Sequence, residues 1–233
     1  MSKVKKKVLK VVKIVLIILM VIALINLLLW YKEKKKVLKI VSNIDDFLVI
    51  NNDSYRIEDD IVQENDETIG WIIVENTNIN YPIVQSKDNS FYLNHDYYKN
   101  ENDAGWIFMD SNNKLDDQNL VIYGHHRRDG IMFGDVDKLM KKNYYEDNKG
   151  EILLIIGDQN IYYKIFAVYK AKVEENYYKN NFDDFPHTLG EFQKKSKIKF
   201  DENLEGVSQI ITLSTCHSNN KDRLVIQAYK KLT

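Results

Sequence analysis

Apolar residues fall into two textures along this chain, one long unbroken block and then many short runs. The block is Ile14 to Trp30, IVLIILMVIALINLLLW, interrupted only by Asn26. At about 1.5 Å of rise per residue, a helix of that length with its flanking valines roughly spans a bilayer core. From Lys34 to Ile50 apolar residues return at helical spacing (Val37, Leu38, Ile40, Val41, Ile44, Phe47, Leu48), which predicts a helix that packs on the downstream domain, ended by Asn51 to Ser54. Glu58 to Glu67 is a second, more polar helical candidate. Beyond it come short β-rich runs bounded by Asn, Asp and Gly: Trp71 to Val74, Ile79 to Val84, Gly105 to Met109, Leu120 to Tyr123, Ile152 to Ile156, Ile161 to Val173, Val207 to Thr215 and Leu224 to Tyr229. Two interruptions read as helical, Val136 to Tyr145 and Phe185 to Lys197. Strands so spaced, with helices at the periphery, predict a mainly β, mixed α/β domain built as a closed or nearly closed eight-stranded barrel.

The block at the N-terminus is a candidate single-pass signal anchor. Six lysines between Lys3 and Lys13 precede it, Trp30 and Tyr31 suit the far interface, and Lys32, Lys34, Lys35 and Lys36 follow. This favours residues 1–13 as a cytoplasmic basic segment, 14–30 as the membrane span, 31–68 as a helical linker packing on the domain, and 69–233 as an extracellular domain. A cleaved signal peptide fits less well, because the apolar stretch is long for one and no small-x-small pattern follows it. A buried core helix fits poorly with lysines on both sides.

Charge changes the picture once it is divided. The net charge of −1 hides ten lysines and one glutamate in residues 1–36, so the remaining chain holds 23 basic against 33 acidic residues, about −10. That argues against a nucleic-acid partner and against wide adhesion to anionic lipid.

Only one cysteine is present, Cys216, so no intramolecular disulfide can form. Alternation of period two puts Ile210, Thr212, Ser214 and Cys216 on one face and Ile211, Leu213 and Thr215 on the other. The thiol therefore shares a partly polar side, against its being an inert buried hydrophobe. If HSNNKD is the hairpin turn, Arg223 sits almost opposite Cys216, where a guanidinium favours thiolate and can donate to an oxyanion. A free thiol of pKa about 8.5 is only a few per cent ionised at pH 7, so a thiol catalyst needs a proton-transfer partner. Among five histidines, His125 follows a strand closed by glycine, LVIYG, and is the candidate. His126 and His217 point away from their neighbours in extended chain, and His95 and His187 lie in polar loop contexts. No histidine or cysteine pair has zinc spacing, and Asp59 to Glu67 lacks the ordered ligands of a calcium loop, so neither metal nor cofactor is expected.

With TLSTC ending one strand, RLVIQA opening the next with arginine, and YGHH after an earlier strand, the chain resembles the sortases, and in particular those of class B. The upstream WIIVENTNINYPIVQSKDNSFYLNHDYY adds to the likeness, which covers about Ile69 to Tyr229. It implies the eight-stranded sortase β-barrel with N-terminal helices and a helix in the long connection before the cysteine strand. It also implies a cysteine transpeptidase that cleaves a C-terminal LPxTG or NPxTN-like sorting signal after threonine and transfers the surface protein to an amine of peptidoglycan or its lipid precursor. In that picture Cys216 is the nucleophile that forms a thioester, His125 moves the proton, and Arg223 stabilises the carbonyl oxygen. Leu213, Ser214 and Thr215 line the substrate groove. Two other readings remain: an exported cysteine peptidase acting by hydrolysis, and a non-catalytic exported binding module with an inert thiol.

Overall fold

The computed structural model describes residues 3–51, 54–146, 150–172, 175–216 and 222–231. The chain divides into two compact units, Met1–Lys39 and Ile40–Thr233.

In the first unit, no glycine or proline interrupts a sequence rich in Leu, Ile and Val, and helix α1 runs unbroken over Lys3–Ile44. It is long and apolar enough to cross a membrane, and its apolar side chains from Val8 to Trp30 are exposed around the whole circumference.

In the second unit the helix ends at Ile44, earlier than the spacing predicts. Asp45–Phe47 makes one tight turn, and Leu48–Asn51 becomes strand β1, paired antiparallel with β2, Ser54–Ile57. Phe47 and Leu48 satisfied a helical period by coincidence. The β-branched Val49 and Ile50 suit the hairpin, and Ile50 at 63 % exposure has no core to enter. The hairpin is clamped to a distant part of the chain by Asn160, which accepts from the Tyr55 amide (2.8 Å) and donates to the Tyr55 carbonyl (2.6 Å). Only Ile61–Glu64 of the next stretch is helical, a single turn, α2.

The barrel strands come next: β3 Thr68–Val74, β4 Asn80–Val84, β5 Phe108–Met109, β6 Asn119–Gly124, β7 Glu151–Ile156, β8 Gln159–Lys172, β9 Ile210–Cys216 and β10 Asp222–Lys230. All eight predicted strands are present, in the closed order β10-β8-β7-β3-β4-β5-β6-β9. β4 and β5 run parallel, as do β6 and β9, and the other pairs are antiparallel. Gly105, expected to open β5, instead takes a left-handed φ of 58°, and the strand shrinks to two residues. Alternation sorts the faces. Ile122, Leu213, Ile226 and Val168 lie side by side across β6, β9, β10 and β8, and all are buried.

The reverse face of β8, β9 and β10 carries Tyr169, Ile210 and Val225, which are covered from the β8–β9 connection by Tyr177 and by the helix Phe185–Lys195. Ahead of that helix in the chain, Val136–Leu139 forms α3, a single turn within the predicted Val136 to Tyr145. Phe185–Lys195 is α4, and Phe185, Leu189 and Phe192 form its buried stripe at positions i, i+4 and i+7. Asp184 caps the helix by accepting from the His187 amide, Pro186 occupies its first turn, and Lys194 and Lys195 close it.

Candidate active site

Three strand ends build the site. Parallel pairing sets Gly124 of β6 against Thr215 of β9, so the residues next in each chain, His125 and Cys216, leave the barrel at the same end. Antiparallel pairing sets Arg223 of β10 directly opposite Cys216. Neighbouring strands lie about 4.8 Å apart, so these positions adjoin although they are far apart in sequence. The Cys216 side chain and residues 217–221, which include His217 and most of the HSNNKD turn, lie outside the described residues.

At this end of the barrel is a cleft of about 180 Å³. His125, Ser214, Thr215 and Arg223 contribute to its lining, together with Asn89, Leu93, Phe108 and Tyr123. Leu213 does not. It is 1 % exposed and pairs with Ile122 and Ile226 on the barrel's inner side, because alternation cannot turn three consecutive residues to one face. Thr215 reaches the cleft because it stands near the open end of its strand.

His125 is fixed from several directions. Its Nε2 lies 2.6 Å from the Leu93 carbonyl oxygen. Since a carbonyl only accepts, Nε2 carries the proton of this bond, and Nδ1 is the nitrogen left for proton exchange. Its own carbonyl accepts from the Phe133 amide at 3.1 Å. Gly105 makes the approach possible: a Cβ there would stand 2.5 Å from the Tyr92 oxygen, and 2.9 Å from both the Leu93 oxygen and His125 Cδ2. A Cβ on Gly124 would likewise meet Ile107 Cδ1 at 2.5 Å and Phe133 Cδ2 at 2.9 Å. Past the histidine, the Met132 amide, at a φ of 51°, donates to Tyr81 Oη at 3.0 Å. Burial pushes the Tyr81 phenol up to about 12, so it stays a neutral anchor for this loop.

The other described histidines stand elsewhere. His126 Nε2 lies 2.8 Å from Asp137 Oδ2. His95 stacks on Phe91 with centroids 4.0 Å apart and bonds the Phe91 carbonyl. His187 is in the exposed first turn of α4, 4.0 Å from Glu191.

Two lining residues, Asn89 and Tyr123, share a buried carboxylate. Asp110 Oδ2 accepts from Asn89 Nδ2 at 2.8 Å and from the Tyr123 hydroxyl at 3.0 Å, while Asn89 Oδ1 accepts from the Ser111 amide at 2.7 Å. Burial first, then the Asp110 charge, pushes the Tyr123 phenol well above its ordinary value. Asn89, Leu93, Phe108 and Tyr123 are lining residues that sequence reasoning missed. Tyr123 precedes the glycine and histidine of YGHH, and Asn89 and Leu93 lie in the upstream stretch that adds to the likeness, but neither signal picks out a side chain. No cluster of three or more metal-ligating side chains occurs among the described residues.

The Sortase domain family model matches residues 72–231, which contain the catalytic candidates His125, Cys216 and Arg223. The chain belongs to the sortase family. Among its relatives, the sortase B of Staphylococcus aureus is 36 % identical over 176 residues, covering 70 % of each chain. The sortase B of Listeria monocytogenes is also 36 % identical over 176 residues, covering 72 % of this chain and 71 % of that one. Solved structures agree. Clostridium perfringens sortase B superposes with a TM-score of 0.68 at 33 % identity, over 74 % of this chain and 98 % of that one. Bacillus anthracis sortase B superposes with 0.73 at 29 % identity, over 88 % and 98 %. These likenesses place the sortase in class B, with the expected eight-stranded barrel and the helix α4 before the cysteine strand. It is therefore a cysteine transpeptidase that acts on cell-wall proteins.

Proposed function

We propose that this sortase is anchored by Ile14 to Trp30 with residues 1–13 in the cytoplasm, and that residues 69–233 cleave an LPxTG or NPxTN-like sorting signal after threonine outside the cell. The observation that carries the reading is the gathering of His125, Thr215 and Arg223 on one cleft at the strand end where Cys216 stands. The Cys216 thiolate attacks the threonine carbonyl carbon, and the resulting oxyanion takes hydrogen bonds from the Arg223 guanidinium. As the C–N bond breaks, His125 gives the Nδ1 proton to the departing amine, leaving a thioester on sulfur. An amine of peptidoglycan or its lipid precursor then attacks the thioester, His125 takes its proton, and the thiolate leaves. The bond from Nε2 to the Leu93 carbonyl persists in both charge states of the ring, so the imidazole keeps its orientation through the cycle. Ser214 and Thr215 border the peptide. The exposed α1 surface supports the anchor, and the surplus of acidic residues beyond residue 36 supports a partner other than nucleic acid.

The test is ligation. Full-length protein in detergent, given a sorting-signal peptide and an added amine, should yield a product in which the amine replaces everything after threonine. Hydrolysed peptide alone, at every amine concentration, would make the protein an exported cysteine peptidase instead. A thiol that ignores alkylating reagents in the folded protein would point to a non-catalytic binding module.

A further inference from the structure

Asn119, the first residue of β6, is fully buried, and every polar group of its side chain is engaged. Its Nδ2 donates to the carbonyls of Tyr177 (2.9 Å) and Lys179 (2.8 Å). Its Oδ1 accepts from Thr212 Oγ1 at 2.7 Å, and its backbone amide donates to the Asn180 carbonyl at 2.9 Å. Thr212 in turn accepts from Gln227 Nε2 at 3.3 Å, whose Oε1 accepts from the Tyr169 hydroxyl at 3.0 Å. One amide thus ties the His125 strand to the Cys216 strand, and both to residues 177–180 of the β8–β9 connection. Tyr177 meets the cleft through Ser214, which is one of its lining residues. The Tyr177 hydroxyl lies 3.2 Å from Ser214 Oγ, Tyr178 packs edge-on against Tyr177, and both phenols act electrostatically on Tyr123.

Buried polar networks contribute less to net stability than to fixing one geometry, since an apolar side chain would fill the same space without needing partners. We infer that Asn119 is a positioning residue that holds the Tyr177–Tyr178 pair against Ser214, behind the cleft lining, and so sets affinity for the peptide rather than the rate of chemistry. The inference rests on the sortase reading of the cleft. A second set of bonds holds the connection just beyond this point, from the Gln118 amide to Asn181 Oδ1 (3.1 Å) and from the Phe182 amide to Gln118 Oε1 (2.8 Å). Loss of Asn119 therefore loosens the tyrosine pair without detaching the connection.

The experiment uses the full-length protein in detergent with a sorting-signal peptide, measuring kcat, KM and the rate of thiol alkylation by iodoacetamide. For Asn119→Ala, KM should rise about tenfold while kcat and alkylation stay within about threefold, a loss of ground-state binding. Thr212→Val keeps the backbone pairing and the volume but removes the hydroxyl that orients the Asn119 amide; it should raise KM in the same sense, by about threefold, and carries the test if the alanine variant does not fold. An unchanged KM in a folded variant, or a fall in kcat and alkylation at constant KM, would overturn the inference. A wild-type enzyme idle on every peptide would defeat the parent reading first, and this one with it.

Discussion

In the proposed mechanism a backbone oxygen chooses which nitrogen of His125 works. Because Leu93 can only accept at Nε2, proton exchange would fall to Nδ1, and the geometry depends on a glycine two elements away. His125→Ala should lower kcat/KM by about a hundredfold to ten-thousandfold, while His126→Ala, whose ring is engaged with Asp137, should change it by less than about threefold. Steady-state kinetics on one peptide ranks the two, and the reverse ranking would move the proton-transfer role to His126. Gly105→Ala forces a side chain into a left-handed backbone costing about 1–2 kcal/mol and into contact with His125 Cδ2, so activity should fall at least about tenfold. Full activity in that variant would show that the Leu93 contact is dispensable. Arg223→Lys should also be damaging, because a point charge does not reproduce the forked donor geometry. Alternation, a strand end and a hairpin register make Cys216, His125 and Arg223 candidates in the sequence, and the resemblance to sortase motifs supplies their roles. The Leu93 carbonyl could not be found there, since a main-chain oxygen has no residue signature, and Gly105 read as an ordinary strand boundary.

Among the elements, the barrel strands were the most legible, because short β-branched runs between Asn, Asp and Gly leave little ambiguity. The β1–β2 hairpin was not, as Phe47 and Leu48 fit a helical period and nothing local shows that Asn160 waits to clamp Tyr55. The β8–β9 connection carries a testable charge contact of its own. Glu175 accepts from the Lys172 amide at 2.8 Å and from Lys195 Nζ of α4 at 2.7 Å. Its carboxyl is held below the ordinary carboxylate value, first by the Lys195 bond and then by the Lys172 amide. A depressed carboxylate stabilises the fold fully above its unfolded value near 4.5, and that contribution disappears as pH falls through the lower folded value. Glu175→Gln should therefore cost about 1 kcal/mol or less at pH 7, where the pair is partly exposed, and less again in strong acid. Thermal melts at pH 7 and pH 3 measure this, and an equal loss at both would assign the effect to packing. Leu189→Ala, in the buried stripe of α4, should cost about 2–5 kcal/mol at any pH.

At the scale of the molecule, the proposed function gives placement to the apolar helix and chemistry to the acidic barrel domain. The full-length chain should pellet with membranes, and removal of residues 1–30 should release it to the soluble fraction; a truncated protein that still pellets would transfer the anchoring to another surface. Charge and composition are what suggest this division, because the lysines flank one block and the acids lie beyond it. Closure of the barrel was less so, since parallel pairing of β6 with β9 joins segments about ninety residues apart and no local pattern announces it. That closure brings His125 and Arg223 to the strand end of Cys216, and covalent capture of the peptide tests it most directly. Intact-mass measurement of the full-length protein after brief exposure to a sorting-signal peptide, without added amine, should show an adduct equal to the peptide through its threonine, discharged by hydroxylamine and absent from Cys216→Ala. Peptide cleavage that persists in Cys216→Ala, or an adduct carried on another residue, would contradict the account.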